Sequence, residues 1–341
     1  MTVHAAMDMD MDMDVDVDVE LAIVGGGPAG LAAAIEAARR GVRVTLVDAG
    51  DSPGGALALQ THAYQGTGMR GIGLGALLGQ TAIAAGASLL PRTLAWGAFE
   101  DHTLGLAINH GMGDERSDVL HAAAILIATG AVDRPGVFPG ATLPGVITAT
   151  AATVMLHRWR VRPGAAALVV GNDPITPCIA QYCADGGMVV RVTPASDGLR
   201  AMAGPDGTLA RVERYDPDGA VTDAWDVDTL VLAEGMQPAN ELARMVECAT
   251  VWSAPLGGPV PLRDAAMWAS VPGVSIVGDA AGMGDVGGAI FQGRIAAAAI
   301  ADALGKKKRG FDAFPITLTA GSFRPINADV WRATRLTEMV R

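Results

Sequence analysis

Three cysteines in 341 residues are few, and their placement removes several chemistries at once. Cys178, Cys183 and Cys248 form no C-x-x-C pair, which excludes dithiol–disulfide exchange at a redox-active cysteine pair. No nearby Cys/His set completes a zinc site, so no metal is expected and all three read as reduced thiols. No apolar run reaches the roughly 20 residues that a membrane-spanning helix needs. Basic charge is also short, with 25 Lys and Arg against 36 Asp and Glu and a net charge of −11. That balance leaves no basic face for nucleic acid. The first residues lack both a basic n-region and a continuous apolar h-region, so a signal peptide is not expected and the location read is cytoplasmic.

Much of the acidity is local. Asp8, Asp10, Asp12, Asp14, Asp16, Asp18 and Glu20 stand close together with no Lys or Arg among them. Their alternation with Met and Val would suit a strand, but charge density and low complexity favour a disordered acidic tail over residues 1–18. Beyond it the chain is globular, with 50% apolar and 18% charged residues and enough length for two domains.

The remaining chain is organised around Leu21 to Gly30, LAIVGGGPAG. It reads as a buried strand, a glycine turn and the first turn of a helix. Gly25, Gly27 and Gly30 fit G-x-G-x-x-G. Gly25 permits the tight turn, Gly27 lets a pyrophosphate approach the backbone, and Gly30 lets helix and strand pack closely. Pro28 and Ala29 complete the turn into the helix, whose N-terminus offers N–H groups and a positive dipole end to phosphates. An Ala-rich helix, Leu31 to Arg40, follows. A second strand, Val42 to Val47, ends in Asp48, close to the spacing at which an acid meets a ribose hydroxyl.

Gly54 and Gly55 allow a further backbone approach to a phosphate or ribityl chain. Thr61 to Gly75, with His62, Tyr64 and Gln65, reads as a loop over a site, and Leu77 to Gly86 as a helix. Strands are expected over Ala87 to Phe99, Thr103 to Asn109 and Ile125 to Ile127. The last ends in Ala128, Thr129 and Gly130, a small turn at the carboxyl edge of a parallel sheet, where ligands of such sheets bind. A connector punctuated by Pro135, Pro139 and Pro144 then crosses into a second domain.

That domain repeats the opening plan: apolar strand, Gly171, helix to Ala184, strand Met188 to Thr193. Its glycines are degraded, with Asp173 at the second position and Thr176 at the third. A carboxylate there repels a pyrophosphate, so NAD(P)H binding is doubtful. Leu199 to Asp226 alternates short polar strands with Pro-Asp-Gly turns, and Leu230 to Gly235 echoes the earlier strand and turn. The chain returns through a buried strand ending at Gly278 and Asp279, then a glycine-rich turn Gly282 to Gly288 and a helix Ala289 to Leu304.

GGGPAG, ATG and VGDAAG, in that order, resemble the two-dinucleotide-binding-domain flavoproteins, the class of thioredoxin reductase and glutathione reductase. The resemblance covers about Leu21 to Leu304. It implies an α/β fold of two Rossmann-like domains, the second inserted into the first. The FAD-binding domain would span residues 19–140 and 255–341, and the NAD(P)-binding-like domain residues 141–254. Gly278 and Asp279 would hold the ribityl and pyrophosphate of FAD, and the helix N-terminus near Ala289 and Ile290 would face the pyrimidine end of the flavin. Ala128 to Leu156 and Leu230 to Met245 further resemble the FAD-containing alpha subunits of hetero-oligomeric amine oxidoreductases, such as opine oxidase, hydroxyproline dehydrogenase and hydrogen cyanide synthase. Those proteins work beside a partner that is itself a flavoprotein, and they often carry a cysteine-rich C-terminal cluster segment. This sequence has no cysteine after Arg309, and Phe311 to Arg341, with Trp331, Leu336 and Val340, reads as an interface segment or as one packing on its own body.

The expected activity is an FAD-dependent oxidoreductase that takes part in amine or imino-acid oxidation within such a complex. A free-standing NAD(P)H-dependent flavin reductase and a non-catalytic FAD-binding scaffold remain alternatives. Hydride transfer needs orientation more than an acid or base, so no catalytic residue is assigned. His62 and Glu234 are the titratable candidates. Lys306 to Arg309 reads as a solvated helix end.

Overall fold

A computed structural model describes residues 18–61, 64, 68–194, 197–306 and 310–311. The acidic tail before Asp18, His62, Gln65, residues 307–309 and the extension after Phe311 lie outside the described residues.

The chain opens with β1 (Val19–Val24), α1 (Pro28–Arg39) and β2 (Val44–Val47). Then come α2 (Gly71–Ala84), β3 (Ser88–Leu90), β4 (Thr93–Phe99), β5 (Thr103–Ile108) and the long β6 (Arg116–Ile127). Helix α2 starts six residues ahead of the expected one, inside the stretch read as a loop. Glycine lowers helix propensity by about 1 kcal/mol per residue, which hid the start. Here glycine serves packing. A Cβ on Gly75 would lie 2.8 Å from the Gly54 Cα, and one on Gly79 would lie 2.4 Å from the Pro53 ring. The glycine face of α2 thus lets the Pro53–Gly54 backbone lie directly on the helix.

Next are β7 (Ala131–Asp133), β8 (Val146–Thr148) and α3 (Ala149–Thr153), which runs on into one turn of π-helix, Val154–Arg158. Then follow β9 (Ala166–Val170), α4 (Thr176–Asp185) and β10 (Val189–Thr193). An antiparallel meander of β11 (Leu199–Ala203), β12 (Leu209–Tyr215) and β13 (Val221–Asp226) leads to β14 (Thr229–Leu232). Both Pro-Asp-Gly turns join strands of that meander, as their turn chemistry predicts. The chain returns through β15 (Met236–Pro238), α5 (Glu241–Met245), β16 (Thr250–Ser253), β17 (Gly258–Pro261), β18 (Val274–Ile276) and α6 (Val286–Ala303).

The fold is α/β and Rossmann-like, built as two copies of one plan. In the first unit the strand order is β3-β2-β1-β6, with β18 beside β6 and the antiparallel ribbon β5-β4 continuing from the other end of β6. In the second the order is β10-β9-β14-β8. Within both parallel portions alternate residues serve opposite faces. Leu21 and Ile23 pack under α1 and α2 with Leu31, Ile35 and Leu78. Ala22 and Val24 face the other way, onto Leu104, Leu106 and Ile276. Leu242, Ala243 and Cys248 are buried in that same second cluster. Residues around α5 therefore pack with the first sheet, ahead of the expected return at residue 255. The units are tied by β7 and β15, which pair antiparallel from Ala131↔Pro238 to Asp133↔Met236.

Two ion-pair groups lock the first unit. Glu36 is buried between Arg40 (2.9 Å) and Arg294 (3.1 Å), joining α1 to α6. Lys306, the first residue of the basic run, pairs with Glu20 at 2.7 Å and so is more than a solvated helix end.

Candidate cofactor-binding site

A cavity of about 660 Å³ opens at the carboxyl ends of β1, β2 and β6. This is the edge at which open parallel sheets bind ligands. Both units contribute walls, the second through Asp173, Ile175, Glu234 and Gly235.

The floor is the glycine turn. Gly25 takes φ +111°, and a Cβ there would lie 2.2 Å from the Ala128 carbonyl oxygen. No other residue fits that turn without displacing β6. Gly30 lies with its Cα against the Gly25 carbonyl, 1.9 Å from where a Cβ would stand. Gly27 differs from both: nothing lies within 4 Å of its Cβ position. It faces the cavity with Pro28 and Ala29. Helix α1 begins there with no side-chain cap, so its N-terminal dipole is directed at the cavity. The glycine geometry is thus a cradle that a side chain on Gly27 would fill, which suits a pyrophosphate.

Asp48 stands beside the cradle. Its carboxylate accepts the Gly26 N–H, and the Gly50 N–H at 2.6 Å. Gly55 closes over the turn; its Cβ would lie 2.9 Å from the Gly27 Cα. Across the cavity, Thr129 donates to the Ala239 carbonyl, and Gly130 takes φ +78° to turn the chain into β7. Gly278 sits at φ +67° against the Ala29 side chain and donates its N–H to the Gln292 side-chain oxygen at 2.9 Å. The Asp279 side chain follows it into the cavity. Burial raises its carboxyl above the usual carboxylate range, partly offset by the Gly284 N–H at 3.1 Å. Buried Arg263 donates to the Ala281 carbonyl and braces this turn from behind.

All the expected site residues except Gly30 and Ile290 face the cavity. Gly30 works in the packing behind it, and Ile290 points into the core under α1. Ala289 does line the cavity, but helix α6 starts at Val286, three residues earlier than expected. Asp285 caps it by accepting the Gly288 N–H at 2.7 Å. The wall there carries a capping carboxylate, where the resemblance implied a helix N-terminus near Ala289 and Ile290.

Arg134 and Gln60 line the cavity with no sign in the sequence pattern, whereas Tyr64 belongs to the stretch read as a loop over a site. Arg134, inside the proline-rich connector, is the only cationic side chain among the described lining residues. It ties the units together: its backbone N–H donates to Gly235 at 3.1 Å and its guanidinium to the Gly257 carbonyl at 2.8 Å. Gln60 and Tyr64 also line the wall, the Tyr64 hydroxyl donating to the Gln60 side chain. Burial pushes the Tyr64 hydroxyl well up, so it stays a neutral donor at physiological pH. Of the two titratable candidates, Glu234 faces the cavity, and His62 lies outside the described residues.

The cysteines are free. Burial pushes the Cys183 thiol up to about 11 and raises that of Cys248, so neither is a thiolate nucleophile near neutral pH. Among the described residues no group of three His, Cys, Asp or Glu could hold a metal ion. Among them, too, no helix is long and apolar enough to cross a membrane.

Comparison with known proteins gives a family and a set of relatives. The family profile described as pyridine nucleotide-disulphide oxidoreductase matches residues 19–206. One subunit of the opine oxidase of Rhizobium meliloti (strain 1021) is 29% identical over 330 residues, covering 83% of this chain and 71% of that one. The alpha subunit of the sarcosine oxidase of Corynebacterium sp. (strain P-1) is 29% identical over 339 residues, covering 89% of this chain. The chain spans only 34% of that longer protein. Among solved structures, L-proline dehydrogenase from P. horikoshii shares the fold, with a TM-score of 0.73 and 21% identity over 85% of this chain and 56% of that one.

Proposed function

Because the chain belongs to the pyridine nucleotide-disulphide oxidoreductase family, we propose that its cavity holds FAD and that it acts as a flavoprotein subunit in amine or imino-acid oxidation. The observation that carries the cofactor reading is the contrast between Gly27 and its neighbours. Gly25 and Gly30 are small because protein lies against them, whereas Gly27 is small beside open cavity. A glycine without a packing reason, at an uncapped helix N-terminus, suits an anionic ligand. Asp48 would take the ribose at one end, and Gly278 with Asp279 the ribityl chain further along. When bound, FAD would supply a two-electron acceptor for hydride from carbon.

Two observations support the amine reading. Relatives covering most of this chain are named as subunits of opine and sarcosine oxidases. The chain also lacks a C-x-x-C pair, which leaves no dithiol for disulfide chemistry. Because those relatives are named as subunits, the partner we propose is a second flavoprotein subunit in a hetero-oligomer.

The visible spectrum of the purified chain tests the cofactor. Flavin absorbance is expected, bleached by an opine, proline-type or N-methyl amino acid under anaerobic conditions once the partner subunit is present. A colourless protein that takes up no FAD on reconstitution would sink this assignment.

A further inference from the structure

The second unit repeats the first closely enough to be matched residue by residue. Pairing sets β9 against β10 as β1 is set against β2, so Val170 matches Val24 and Thr193 matches Val47. Gly171 donates its N–H to Thr193 at 3.1 Å, as Gly25 does to Val47 at 2.8 Å. Ala233 donates to Val170 at 2.7 Å, as Ala128 does to Val24 at 2.8 Å. A Cβ on Gly171 would lie 2.0 Å from the Ala233 carbonyl, mirroring Gly25 and Ala128. The frame is kept. What differs is the set of groups a dinucleotide would touch.

Counting on from the matched glycine, Asp173 stands at the place of Gly27 and Thr176 at that of Gly30. Past the matched strand, Pro194 stands at the place of Asp48. Helix α1 starts at Pro28, directly after its glycine, whereas α4 starts two residues further on, at Thr176. The intervening N–H groups are spoken for. The Asp173 carboxylate accepts from Ile175 at 3.0 Å, and its carbonyl accepts from Thr176 at 2.9 Å. Pro174 and Pro177 have no N–H to offer. Pro194 has no carboxylate for a ribose hydroxyl. Finally, β2 is covered by β3, whereas among the described residues β10 ends its sheet with no such strand beside it.

We propose that the second unit is closed to pyridine dinucleotides and that Asp173 is the residue that closes it. Its carboxylate is a built-in anion held on the Ile175 N–H just ahead of the helix start, at the place where a pyrophosphate would otherwise bind. Like charge and occupied donors then reject the ligand together. One consequence rests on the flavin reading above: the reductant of the cofactor is the organic substrate, and NAD(P)H does not serve.

The test is calorimetric titration of NADH into Gly27→Val protein, in which the first unit's phosphate position is filled, so that any binding reports the second unit. No binding with Kd below about 1 mM is expected. Adding Asp173→Gly should tighten binding at least tenfold. Asp173→Asn keeps a hydrogen-bond acceptor for Ile175 while removing the charge; it should gain less than Asp173→Gly, and it serves as the variant if the glycine protein fails to fold. Sub-millimolar NADH binding by Gly27→Val protein, or no gain from a folded Asp173 variant, overturns the proposal. Colour plays no part in this titration, so a colourless wild-type protein would count against the flavin reading alone.

Discussion

Gly293 of α6 lies against Ala29 of α1 so closely that a Cβ on Gly293 would stand 2.1 Å from the Ala29 carbonyl oxygen. The two helices cross where the glycine turn that faces the cavity ends, so this contact sets the height of the cradle wall. Gly293→Ala should force α6 outward and destabilise the protein by about 1–3 kcal/mol, the usual cost of overpacking. Chemical denaturation measures the loss. Flavin content per chain should fall with it, because Gly278 and Asp279 are carried on the segment that enters α6.

Gly27 and Gly30 should fail in different ways. Gly27→Val points its side chain into open cavity and should leave far-UV circular dichroism unchanged while visible flavin absorbance disappears. Gly30→Ala collides with the Gly25 carbonyl and should lower stability itself. If both variants are unfolded, or both stay yellow and stable, the division between ligand-facing and packing glycines is wrong.

Glu36 is buried with two guanidinium partners, Arg40 and Arg294. Removing its charge takes from the buried Arg40 its ion-pair partner and leaves it the Phe311 ring. Glu36→Ala should cost about 3–5 kcal/mol. Arg294→Met, which leaves the Glu36–Arg40 pair in place, should cost distinctly less. A urea titration of the two variants separates these outcomes.

Asp279 carries a pH signature. Its folded carboxyl is raised by burial above its unfolded value, so the folded state holds the proton more tightly. Its contribution to stability is therefore fullest at low pH. It declines from near the ordinary aspartate value, about 3.9, up to the raised native value. In ligand-free protein Asp279→Asn should flatten the fall in stability across that window. An unchanged pH slope in the variant would show that Asp279 is not the titrating group.

The first glycine turn, the strand and helix that flank it, the second unit's repeat and the Pro-Asp-Gly meander were legible because their signals are local. Strand periodicity, a turn that only glycine fits and a helix starting at proline are each set within about ten residues of chain. Helix α2 and the start of α6 were misread for a related reason. Glycines that look like loop signals serve as packing surface in Gly75 and Gly79, and Gly287 and Gly288 are taken into a helix that Asp285 caps.

By itself, the sequence determined that the chain is α/β and Rossmann-like, that it repeats its plan, that it lacks a dithiol, and that the second repeat had lost its glycines. Only the tertiary structure decided which glycines face the open cavity and which face protein, because that depends on atoms brought from elsewhere in the chain: Ala128 for Gly25, open cavity for Gly27. It also brought Arg134 from a connector, and Asp173 and Glu234 from the second repeat, into one cavity wall. Their place there follows from β7 pairing with β15, a contact between strands about 100 residues apart that no local pattern encodes.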